Sequence, residues 1–127
     1  IEKRLQERID AGLVEEVQRL HEQGLSWEKL DFLGLEYRWT ARYLQGEMSF
    51  ETYVDTLFAK IRRLCKSQDI WFRKFERDGW PIYWLNRGDF NEARRLVGHF
   101  LKNEAIGQPA FRLDDIVYGP RQPTEKV

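Results

Sequence analysis

The stretch SFETYVDTLFAKIRRLCKSQDIWFRKFER, from Ser49 to Arg77, constrains the fold of this chain more than any other. It contains no Gly or Pro, opens on a Ser that can cap a helix, and carries Glu51 in its first turn, where a carboxylate complements the helix dipole. At about 100° per residue, Phe50, Tyr53, Val54, Leu57, Ile61, Leu64, Gln68, Phe72 and Phe75 fall within one arc. This spacing predicts a single long helix with a core-facing stripe. Arg62, Lys66, Arg73 and Arg77 fall on a second arc, with Arg63 and Lys74 beside it. Residues 60–77 hold seven Lys or Arg against two acids, a net +5, although the whole chain balances 21 cations against 21 anions. The rest of the chain is therefore net negative by the same amount, and the positive charge is concentrated on one helix.

Such a face can be simply solvated, it can pair with the acidic remainder of its own protein, or it can meet a polyanion. Arg bonds phosphate oxygens bidentately and Lys supplies a point charge, which gives affinity and register without reading base sequence. Trp71 offers a surface for stacking a base or, equally, for packing beside the apolar arc.

Residues 61–75 of this helix resemble a late helix of the tRNA dimethylallyltransferase (tRNA isopentenyltransferase) family, with the approximate pattern T-R-x-x-A-K-R-Q-x-T/I-W-F/L-R. Arg62, Lys66, Gln68, Ile70, Trp71, Phe72 and Arg73 match it in order, whereas Ile61, Cys65 and Ser67 stand where Thr, Ala and Arg are usual. Upstream, GLEYRWTARYLQGE resembles I-G-Y-K/R-E-x-x-x-Y-L-x-G-E through Tyr37, Arg38, Tyr43, Leu44, Gly46 and Glu47. Glu36 replaces a Gly of that pattern, and Trp39 an acid or amide. Near the start, Arg4, Gly12, Leu13, Glu16 and Val17 match a further segment, in which Arg8 replaces Met. The resemblance extends from residue 1 to about 86.

The resemblance implies an enzyme that moves a dimethylallyl group from dimethylallyl diphosphate to N6 of the adenine beside the tRNA anticodon, with Mg²⁺ at the diphosphate. It implies that Arg62, Lys66, Gln68, Trp71, Arg73, Tyr37 and Arg38 contact the tRNA anticodon stem-loop, and that Arg4 contributes to diphosphate binding. The family's Gly-rich phosphate loop and its general-base Asp match nothing in these residues. The chain is therefore expected to contribute tRNA binding and a channel wall but no catalytic residue, to bind no metal, and to be inactive alone. The alternative is a non-catalytic helical module, derived from that family, that binds nucleic acid or a protein partner.

The remaining expectations come from the residues themselves. Ile1, Leu5, Ile9, Leu13, Val17 and Leu20 give an amphipathic helix to about Gln23, interrupted at Gly12. Ser26 can cap a short turn packed down by Trp27, Leu30, Phe32 and Leu33, and a helix over Tyr37–Leu44 should stop at Gly46. Pro81–Asn86 and Phe111–Tyr118 read as strands flanking a helix opened by an Asp89/Glu92 capping box, with Phe90, Ala93, Leu96, Val97 and Phe100 inward. The predicted fold is α+β, mainly α: a helical region over residues 1–78, a strand–helix–strand extension over 79–118 and a loose tail over 119–127, forming the C-terminal part of a P-loop-type transferase. An unpaired strand would need the final segment or a second copy, a homodimer. Eighteen aromatics support a real core, and no apolar run is long enough to span a membrane. The lone Cys65 excludes an internal disulfide and reads as a core filler in a reducing, cytoplasmic setting. His21 and His99 have no metal-ligand spacing.

Overall fold

The computed structural model describes residues 1–117. Six α-helices follow one another: α1 (Glu2–Asp10), α2 (Leu13–Glu22), α3 (Trp27–Phe32), α4 (Leu35–Leu44), α5 (Phe50–Arg77) and α6 (Phe90–Leu101). The chain divides into two compact units, Ile1–Ser67 and Gln68–Val127, with the division inside α5.

In the first unit, α1 and α2 are one amphipathic stretch broken at Gly12, whose φ of 96° ends one helix and opens the next. Gly34 separates α3 from α4 at φ 133° and ψ −179°, a conformation essentially confined to glycine. Ser26 caps α3 by accepting from Lys29 N, and Ser49 Oγ accepts from Thr52 N at the start of α5. Helix α1 packs on α2, and α2, α3 and α4 pack on one another. The core is Leu5, Leu13, Val17, Leu30 and Ala41 from these four helices, closed by Tyr53 and Leu57 from α5. The buried Thr40 hydroxyl bonds Glu36 O at 2.6 Å and Tyr53 Oη at 2.8 Å, fixing α4 against α5. Burial raises the Tyr53 phenol above its ordinary value, against the Thr40 hydrogen bond.

The apolar stripe of α5 is only partly covered. Tyr53 and Leu57 are fully buried, but Phe50 and Leu64 remain 48% and 45% exposed. A helix of 28 residues is about 42 Å long. The helices α1 to α4, of six to ten residues each, cover only its first turns. Phe32 and Leu33, expected to hold the α3 connector down, are exposed, and Leu30 with the half-buried Trp27 does that work.

In the second unit, the two expected strands are absent among the described residues. Residues 81–85 form neither helix nor strand, and Leu85 at their end is extended. Pro81 offers no N–H, and the segment is fixed by side chains instead: Tyr83 Oη donates to Gly107 O at 2.6 Å, and Trp84 sets its ring edge-on to Phe72 at 5.2 Å. The expected strand at 111–118 contains a 3₁₀ turn over Leu113–Asp115, and Tyr118 lies outside the described residues. Asp89 caps α6 as expected by accepting from Glu92 N. Of the five residues expected inward on α6, only Ala93 and Leu96 are half-buried. Phe90, Val97 and Phe100 are exposed, and with Tyr83, Leu85 and Ile106 the helix borders an open cavity of about 390 Å³.

Candidate nucleic-acid interface

Arg62, Arg63 and Lys66 project from α5 in the first unit. All three are exposed, and no carboxylate among the described residues forms an ion pair with them. The Arg62 guanidinium lies 5.5 Å from the Phe58 ring centroid, a cation–π contact within the helix that leaves the side chain exposed. Ser67, which stands where the family pattern has Arg, turns its hydroxyl back to Arg63 O at 3.0 Å. It therefore adds no cation to the ridge. Cys65 is half-buried, as a filler would be.

The α4 candidates are engaged within the first unit. Tyr37 Oη donates to Glu16, which also accepts from Arg8 at 2.8 Å. The Tyr37 hydrogen bond and the nearby arginines hold the Glu16 carboxyl below its usual range against the opposing effect of burial, and the same bond raises the Tyr37 phenol. Arg8, which replaces a family Met, thus has a definite partner. Arg38 Nε donates to Asp31 O at 2.8 Å and lies 3.3 Å from its carboxylate, which Arg42 Nε meets at 2.8 Å. The Arg42 bond and charge hold Asp31 below its usual range. Arg42 also lies 4.9 Å, and Lys60 5.4 Å, from the ring centroid of Trp39. Trp39 stands where the family pattern has an acid or amide, so a π face lies beside Lys60 and beside Arg42, which keeps its carboxylate partner in Asp31. Arg4 is exposed on α1 and has no ion-pair partner among the described residues.

In the second unit, Gln68 and Trp71 are open to solvent. Trp71 is 63% exposed and meets Phe75 edge-on at 4.7 Å, so one end of the indole is seated and most of the ring remains accessible. Arg73 is turned inward: its side chain is 16% exposed, its Nε donates to Asp69 at 2.8 Å and its Nη1 to Ile116 O at 2.9 Å. Arg77 meets Asp114 at 2.6 Å. Helical spacing places Arg73 and Arg77 on the basic arc but gives no sign of partners some forty residues downstream. Glu76 escaped sequence reasoning altogether. It is buried, and its carboxylate accepts from Trp84 Nε1 at 2.7 Å, Leu113 N at 2.9 Å and Asp114 N at 2.7 Å.

Among the described residues no three His, Cys, Asp or Glu side chains are grouped as a metal site requires, so no step is assigned to Mg²⁺ through these residues. No helix among them is long and apolar enough to cross a membrane.

A small helical core backing a long helix with an exposed, basic face defines a helical domain. The family whose sequence pattern matches residues 1–75 is IPP transferase, and the chain belongs to it. It is 46% identical over 94 residues to tRNA dimethylallyltransferase 1 of Syntrophus aciditrophicus, covering 74% of this chain and 31% of the relative. It is 51% identical over 86 residues to tRNA dimethylallyltransferase of Treponema pallidum, covering 67% and 27%. It is 43% identical over 103 residues to tRNA dimethylallyltransferase 2 of Trichlorobacter lovleyi, covering 79% and 34%. The chain thus spans about a third of the length of the curated relatives it matches. No solved structure matches it.

Proposed function

We propose that this chain is the tRNA-gripping portion of a tRNA dimethylallyltransferase, the whole protein transferring a dimethylallyl group from its diphosphate to N6 of the adenine next to the anticodon. The observation that carries the reading is the exposed, carboxylate-free set Arg62, Arg63 and Lys66, on a helix that matches the family through Arg73. Guanidinium and ammonium groups without a carboxylate partner can neutralise phosphates without first breaking an ion pair within the protein. Trp71, with its ring largely open, is the group suited to stack an unpaired base. The target adenine must leave its loop to be alkylated, and the chain's part is to hold the stem-loop while it does so. Diphosphate binding, with Arg4 as a contributor, and Mg²⁺ at that diphosphate belong to the same reading of the whole protein in the cytoplasm. The chain by itself transfers nothing.

The test is prenyl transfer to an anticodon stem-loop by the intact protein, with Arg62 and Lys66 both changed to Ala. Loss of phosphate contacts should raise KM about tenfold or more while kcat and the circular dichroism spectrum hold. An unchanged KM overturns the assignment. A protein that binds the stem-loop through this ridge but never alkylates adenine supports the non-catalytic module instead.

A further inference from the structure

Residues 112–116 lie as a short strap on the part of α5 that belongs to the second unit. Glu76 accepts from the backbone N–H groups of Leu113 and Asp114, Arg112 Nη2 donates to Glu76 O at 3.1 Å, Arg77 pairs with the Asp114 carboxylate, and Arg73 donates to Ile116 O. No side chain of the Leu113–Asp115 turn is buried, and Val117 just beyond is 89% exposed. Polar bonds hold the strap, with the half-buried Leu113 as its one partly seated apolar side chain. Two of its anchors are arginines of the basic arc. An aspartate on a guanidinium makes the same kind of charge-assisted bond that a phosphate would make there.

We infer that the 112–116 strap is an internal competitor for RNA: in the free protein it occupies Arg77 through Asp114 and one Nη of Arg73, whose Nε stays with Asp69, and it must leave before a phosphate backbone can engage Arg77. The inference rests on the RNA-binding reading above. Asp114 also places a negative charge on Arg77, whereas Asp115 is offset by Arg112 of the same strap at 3.8 Å, so a docked strap opposes RNA chiefly by occupying Arg77. Exposed Arg62, Arg63 and Lys66, in the first unit, carry no such restraint.

The experiment compares the chain with its Asp114→Asn variant in binding an anticodon stem-loop, with Arg62→Ala/Lys66→Ala as the control. Removing the charge that holds Arg77 should tighten binding about two- to fivefold, the range an exposed ion pair can contribute. It should also steepen the slope of log K against log salt by about 0.7, one further single-strand phosphate. Saturating RNA should speed amide exchange at Leu113 and Asp114 in the unmodified chain, because their bonds to Glu76 break when the strap leaves. If the control weakens binding but Asp114→Asn does not tighten it, or if these amides keep their protection in the complex, the strap is a permanent structural clasp and the inference fails while the RNA reading stands. If the control leaves binding unchanged, or the chain does not bind the stem-loop, both fail.

Discussion

Glu76→Gln should unlatch the second unit without touching its apolar contacts. The wild-type carboxylate is 5% exposed and receives three N–H donors on two oxygens, Trp84 Nε1 and Leu113 N on Oε1 and Asp114 N on Oε2. Glutamine keeps the shape but offers a single acceptor oxygen. Wherever its amide nitrogen sits, at least one buried donor faces another donor. Hydrogen bonds to a charged group contribute about 1.5–3 kcal/mol and neutral ones about 0.5–1.5 kcal/mol, while an unsatisfied buried donor costs about 1–3 kcal/mol. Weakening two bonds by about 1 kcal/mol each and orphaning one donor should therefore cost the strap about 3–5 kcal/mol. Amide exchange at Leu113 and Asp114 should accelerate about hundred- to thousandfold, with exchange in α2 and α4 unaffected. The pH dependence has a definite sign. Burial raises the Glu76 carboxyl, but the Trp84, Leu113 and Asp114 donors and Arg112 together outweigh it and hold it below its ordinary value. A group depressed in the folded state stabilises above its unfolded value, and that contribution is lost as pH falls through the folded one. Protection of the two amides should thus decline on acidification below about pH 4.5 in the wild type and stay flat in Glu76→Gln. Equal protection in the two proteins at neutral pH would refute the reasoning.

Two further outcomes follow from burial and exposure. Leu57→Ala removes a fully buried side chain that closes the four-helix core, and should destabilise the first unit by about 2–5 kcal/mol in denaturant unfolding; a loss under 1 kcal/mol would mean that the site collapses or is not enclosed. Trp71→Ala should leave the melting temperature within a degree or two, because the ring is largely in solvent, yet weaken stem-loop binding about tenfold through loss of a stacked base. Unchanged affinity would assign Trp71 to the edge contact with Phe75 alone.

Local chemistry made much of the helical part legible. The break at Gly12, the caps at Ser26, Ser49 and Asp89, and the extent of α5 follow from turn and cap residues and from 3.6-residue periodicity, all written within a few positions of where they act. The segment at 81–85 shows the limit. An apolar run bounded by turn residues predicts extended backbone, but a strand also needs a neighbour with free N–H and C=O groups, which the run does not encode. Likewise, the stripe on α6 specifies an apolar face but not what covers it. At the candidate interface, exposure divides residues that periodicity groups together. Arg62 and Lys66 face solvent, whereas Arg73 and Arg77 are claimed by Ile116 and Asp114, and Tyr37 and Arg38 by Glu16 and Asp31. Those partners lie 7 to 43 positions away, beyond the reach of helical spacing.

In the proposed function, the exposed cations of α5 neutralise an RNA backbone. Its most direct test is the affinity of the chain for an anticodon stem-loop measured across a range of salt concentrations. With three to four phosphates neutralised, log K should fall against log salt with a slope of about −2 to −3, reduced by about 1.4 when Arg62 and Lys66 are both Ala. A salt-independent affinity, or no binding at low salt, would contradict it.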